Sequence, residues 1–189
     1  MTWDYLRVTL ARVPTPHQAL ATYLRGVPAE VVGQFAPQLG WANNEAAVLL
    51  RGADGALAAP GLIASVTVEH LTLTLRPTDG AVPQPGGIYV HRWFEVGAAD
   101  ADEFIDLSGQ GWRRFEAQFD TQIFGLFRAS PSVADQDSSL RRLLLITRYA
   151  DHGVWEASRD PTSEAMQIFA RRQQLTRRTW AASTLLVAG

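Results

Sequence analysis

Alternating apolar and polar positions mark the first element. Over residues 3–13, Leu6, Val8 and Leu10 point one way and Tyr5, Arg7 and Thr9 the other, the period of a strand. Pro14 and Pro16 end it. Residues 16–39 are helical in pattern, with Pro28 as the start of a second piece and Gly40 as a stop. The apolar run at 45–52 suits a buried strand. Residues 53–64 are rich in Gly, Ala and Pro and leave room for one turn of helix. Residues 66–76 alternate and carry Thr67, Thr72 and Thr74, again a strand. The Pro- and Gly-dense stretch 77–87 reads as a linker. Beyond it come a strand at 88–96 and a helix from Asp100 or Asp102 to about Phe119, with Ile105, Trp112, Phe115 and Phe119 on its apolar face. A strand at 121–129 and a polar loop at 130–139 with Asp135 and Asp137 follow. Residues 140–149 are the strongest strand. Helical patterns at 153–159 and 162–176 flank Pro161, which suits a helix start, and 179–187 form the last strand.

The two halves echo each other. Arg51-Gly52-Ala53-Asp54 closes one apolar run, and Arg148-Tyr149-Ala150-Asp151 closes another. Asp4 to Leu10 has a counterpart in Ile88 to Phe94. Each half reads as strand–helix–strand–strand–helix–strand, with the second helix of the first copy missing or reduced to a stub. One copy leaves a sheet face bare; two copies can cover each other.

Composition narrows the class. An apolar content of 47% with a net charge of -2 builds a core and supplies no concentrated basic surface for nucleic acid. All 17 basic residues are arginine. The Arg-Arg pairs at 113–114, 141–142, 171–172 and 177–178 read as solvated helix faces or strand edges, with an anion site the less common alternative. Cysteine is absent, so there is no disulfide, thiolate nucleophile or Cys-bound metal. No apolar run reaches membrane-spanning length, and Met1-Thr2-Trp3-Asp4 does not begin a signal peptide. A soluble cytoplasmic protein is the expectation, with no membrane partner.

His91 is the leading titratable candidate. On a strand it shares a face with Tyr89, Trp93 and Glu95, a set too polar for plain core. Such a face either lines a cleft in which His91 moves a proton near neutral pH, or holds a hydrogen-bonded histidine beneath a helix or at a seam; the residues favour the second. His17, His70 and His152 lack the spacing of a metal set, so no metal is expected. Asp151 is best explained as a helix cap. Arg148 and Tyr149 point to opposite faces, so only one can share a given cavity. Arg159 either holds an anionic group or pairs with Asp151 or Glu156, the commoner outcome. Trp93, Trp112, Trp155 and Trp180 either line an aromatic cavity for a flat ligand or fill core. No phosphate-binding glycine loop and no Ser-His-Asp set is evident.

The layout resembles the dimeric α/β-barrel superfamily, in which two ferredoxin-like units are placed sheet to sheet. Residues 88–187 resemble NIPSNAP proteins through Tyr89-Val90-His91-Arg92-Trp93, Gly125-Leu126-Phe127, the strand ending Arg148-Tyr149, the helix start through Arg159, and Thr179-Trp180 to Leu185-Leu186. Residues 3–76 resemble them by pattern. Family members often carry Glu-Leu-Arg where Tyr89-Val90-His91 stands, and Trp155 appears where they carry a further arginine. The resemblance implies an α+β fold of two fused ferredoxin-like βαββαβ repeats forming an intrachain dimeric α/β barrel: repeat 1–77, linker 78–87, repeat 88–189. It implies a protein that binds a small, partly aromatic ligand or a partner protein, with Tyr89, His91, Trp93, Trp112, Tyr149 and Arg159 as ligand contacts and no cofactor. Two alternatives come with it. A cofactor-independent monooxygenase would hold its substrate among His91, Trp93 and Tyr149, with His91 as base; a haem-binding protein would ligate iron through His91 or His152. Free sheet edges leave a homodimer open.

Overall fold

The computed structural model describes residues 2–52, 57–78, 80–131 and 139–187. Asp54, Asp135 and Asp137, and most of the predicted polar loop, lie outside the described residues. Eight strands run β1 (Trp3–Leu10), β2 (Glu30–Leu39), β3 (Glu45–Arg51), β4 (Ile63–Leu73), β5 (Ile88–Gly97), β6 (Thr121–Ala129), β7 (Leu140–Tyr149) and β8 (Thr176–Leu186). Helices are α1 (Pro16–Leu24), α2 (Ala101–Gln118), α3 (His152–Ala157), α4 (Glu164–Ile168) and α5 (Ala170–Leu175). The strands close an antiparallel barrel in the order β1-β3-β2-β8-β5-β7-β6-β4.

Within each half the order has the same form. The first reads β4-β1-β3-β2 and the second β8-β5-β7-β6. Two junctions join them: Phe35 pairs with Leu186 between β2 and β8, and Leu71 with Ala129 between β4 and β6. Residues of the linker lie across one end of the barrel. Tyr89 Oη donates to the Gln84 carbonyl at 2.7 Å, and Arg51 donates to the Ala81 carbonyl at 3.2 Å.

The chain departs from the sequence pattern in four places. The stretch 30–39, expected to be helical, is β2. Its pairing shifts register between Val31 and Gly33 against β3 and between Pro37 and Leu39 against β8. Each shift changes the face that the next side chains take, so a bulged strand imitates helical spacing. Residues 57–62, where a turn of helix was expected, form no helix, and Leu57 packs into core there. Pro161 does not start a helix. Ser163 does: its Oγ accepts from the Met166 amide at 3.2 Å, and the predicted long helix breaks at Phe169 into α4 and α5. Asp100 precedes α2 but accepts no capping bond, and Asp102 pairs with Arg128. Asp151 does cap α3, accepting from the Val154 amide at 2.8 Å.

Three apolar layers result. Inside the barrel, Trp3, Tyr5, Phe35 and Leu49 of the first half meet Tyr89, Trp93, Phe127 and Ile146 of the second. Outside the first half, α1 covers Leu6, Val8, Val48 and Leu50. Outside the second half, α2 and the α3–α5 segment cover Val90, Phe94, Leu143 and Leu145. No described helix is long and apolar enough to cross a membrane.

Candidate functional site

The period of β5 splits the predicted site. Tyr89, His91 and Trp93 point into the barrel, whereas Arg92 points outward beneath the helices. His91 is sealed, at 1% exposure. Its Nδ1 lies 3.0 Å from Tyr5 Oη and its Nε2 lies 3.1 Å from Thr184 Oγ1. Thr184 Oγ1 also lies 3.1 Å from the Tyr89 carbonyl, which can only accept. One arrangement satisfies every contact: Tyr5 donates to Nδ1, Nε2–H donates to Thr184, and Thr184 donates to the carbonyl. Phe35, Trp41 and Tyr5 surround the ring at 4.7, 5.5 and 5.6 Å between centroids. Burial, reinforced by the nearby Arg7 charge, pushes the imidazole down to about 3. His91 is therefore a neutral core histidine with both ring nitrogens hydrogen-bonded.

The other barrel-facing candidates are also engaged. Trp93 stacks on Trp180 at 6.3 Å, and Tyr89 is held by Gln84, with burial pushing its phenol up to about 12. His70 binds Asp4 through Nδ1 at 2.7 Å, His17 lies 3.1 Å from the Asn43 carbonyl, and His152 lies 2.9 Å from Ser183 Oγ. Among the described residues no group of three or more His, Asp or Glu side chains could hold a metal.

On the opposite face of the same sheet a cavity remains between β5–β7 and the helices. Its inner space is small, about 60 Å³, and it opens to solvent through its mouth. Trp112 and Phe115 from α2 and Phe169 from the α4–α5 junction supply aromatic wall. Gly111 allows this packing: a Cβ there would sit 2.2 Å from Phe169 Cε1. Tyr149, Ser158, Arg92, Arg159 and Arg172 supply the polar wall. Trp112, Tyr149 and Arg159 thus sit together, separated by the sheet from Tyr89, His91 and Trp93. Tyr149 cannot share a substrate with His91.

The arginines of this cavity differ from those held by carboxylates. Arg7 pairs with Glu45 at 2.6 Å, Arg142 with Glu69 at 2.6 Å, Arg76 with Glu116 at 2.7 Å and Arg171 with Glu103 at 2.8 Å. Arg92, Arg159 and Arg172 form no ion pair with any described residue. Arg159, expected to pair with Asp151 or Glu156, lies over Trp155 at 5.8 Å instead. Arg172, expected on a solvated face, has its guanidinium 4.1 Å from the Phe169 ring centre and donates to Ser108 Oγ at 3.3 Å. Its Nε is out of contact with solvent and has no partner; nor has the buried Trp112 Nε1. Cation–π contacts contribute about 0.5–2 kcal/mol each, less than the several kcal/mol that desolvating a charge costs. Burial and the like charge of Arg92 push Arg172 down to about 9, so it is still a cation at neutral pH. Burial also lowers Arg92 and raises Tyr149; the three arginines oppose that rise.

Sequence reasoning missed Arg92 and Arg172. Arg92 carried a signal: it interrupts an outward face otherwise made of Ile88, Val90, Phe94 and Val96.

No family model matches the chain, and no curated protein is similar to it in sequence. Solved structures are similar. An anthrone oxidase-like protein is 14% identical with a TM-score of 0.61, over 99% of this chain and 92% of that one. A candidate monooxygenase from Fusobacterium nucleatum is 9% identical with a TM-score of 0.62, over 99% and 92%. A haem-binding protein from Thermus thermophilus is 11% identical with a TM-score of 0.53, over 100% and 93%. These structures share the barrel fold of this chain. At these identities the likeness concerns the fold alone.

Proposed function

We propose that the chain is a duplicated ferredoxin-like protein, with repeats 1–77 and 88–189 joined by linker 78–87, whose second repeat binds a small, partly aromatic molecule. The observation that carries this is the cavity between β5–β7 and α2–α5, where three aromatic rings face a cluster of hydrogen-bond donors. The matching strand orders of the two halves support the duplication. The NIPSNAP-like reading of residues 88–187, and the partner-protein role it would bring, rest on the quoted sequence matches.

A monooxygenase-like enzyme is the second reading, favoured by the names of two structural neighbours. In it the substrate occupies this same cavity and His91 takes no part, because the barrel encloses it. A haem-binding role would not use this cavity, because no histidine lines it.

The test is native mass spectrometry and thermal-shift screening against small aromatic molecules, on the wild type and on Ser158→Leu, which fills the cavity. The expected result is a bound or stabilising aromatic molecule that the variant loses. A ligand that Ser158→Leu keeps, or no ligand at all, overturns the reading. Oxygen uptake with the bound molecule separates the enzyme from the binding protein.

A further inference from the structure

We infer that the ligand of this cavity carries an anionic group, a carboxylate on an aromatic body, held by Arg92 and Arg172 with Arg159 beside them. This rests on the small-molecule reading of the same site.

The polar wall is one-sided. Arg92, Arg159, Arg172 and Tyr149 Oη can donate, Ser158 Oγ gives its proton to the Trp155 carbonyl at 2.8 Å, and no Asp or Glu lines the cavity. Buried charges are ordinarily paired, and unpaired ones are rare. Here two like charges approach each other without a counter-charge, and Arg172 Nε and Trp112 Nε1 are buried with nothing to donate to. A carboxylate supplies the missing charge and planar acceptors that match a guanidinium fork. The aromatic wall suits the ligand's ring.

The approach to the site repeats the pattern. Arg92, Arg172 and Met166 also border a second groove, of about 330 Å³, which adds Arg177 and Arg178. Arg178 is only loosely held, with Glu95 at 4.0 Å. A run of positive charge thus leads along the surface to the cavity, the arrangement that draws in anions.

Calorimetric titration with benzoate and with its neutral isostere benzamide tests this, on the wild type, Arg172→Gln and Arg92→Gln, each checked for folding by circular dichroism. The expected result is benzoate binding at least tenfold tighter than benzamide, with that preference lost in either variant. Two variants on different elements guard against one failing to fold. If benzamide binds as tightly as benzoate, or the preference survives in both variants, the charge inference falls and the pocket stands. If neither molecule binds at millimolar concentration, both readings fall.

Discussion

His91 and Arg92 are neighbours in sequence and opposites in circumstance. His91 enters the barrel interior, where Tyr5 from the other half and Thr184 from its own complete both ring nitrogens, and Phe35 packs against the ring. Arg92 enters the layer beneath the helices, where no counter-charge completes it. A polar group whose bonds are all made contributes to stability and holds a neutral state; one whose bonds are open has capacity left for a ligand. The same contrast holds between halves. The outer face of the first half is closed by Leu6, Val8, Val48 and Leu50 under α1, whereas the second half presents three unpaired arginines there. A titratable residue on a polar strand face was the obvious candidate, and the side chain with open hydrogen-bonding capacity is one residue further on.

Acid breaks the contrast most severely. The unfolded chain takes up a proton on His91 below the ordinary 6.5, and the folded one holds none until about 3. Protonation between those values therefore favours unfolding. Stability should fall as pH drops through this window, at up to about 1.4 kcal/mol per pH unit and by several kcal/mol in all. Urea unfolding from pH 7 to 3.5 checks it: His91→Gln should show a shallower fall, and an equal slope would contradict the enclosed neutral histidine. Next in size, Gly111→Ala drives a methyl into the Phe169 ring, which should cost about 1–3 kcal/mol and weaken binding in the cavity. The urea midpoint and a benzoate titration read the two effects. Smallest, and opposite in sign, Arg172→Met removes a half-buried charge that has no ion-pair partner and should raise stability by about 1 kcal/mol. A lower melting temperature would mean that Arg172 is a packing residue.

Much of the architecture was legible locally. β1, β5, β6 and β7 lie where the residue pattern placed strands, and Asp151 caps α3 because its side chain can reach a free amide three residues on. β2 was not legible, since two register shifts disguise its period. The site was half legible. Trp112, Tyr149 and Arg159 do converge, whereas Arg172 was hidden among arginine pairs that look alike on paper.

The sequence by itself determined most of the strands, the absence of thiol chemistry, and that His91 and Arg92 must face opposite ways, because strand geometry is a property of consecutive residues. Only the tertiary structure decided which of those faces would be filled. The contacts that complete His91 come from Tyr5 and Thr184, 86 and 93 positions away. The Tyr5 contact arises when β2 meets β8 and β4 meets β6 to close the barrel, and the Thr184 contact where β8 pairs with β5. Whether the helices then fill or leave open the space over Arg92 depends on packing between distant segments, which no local pattern encodes.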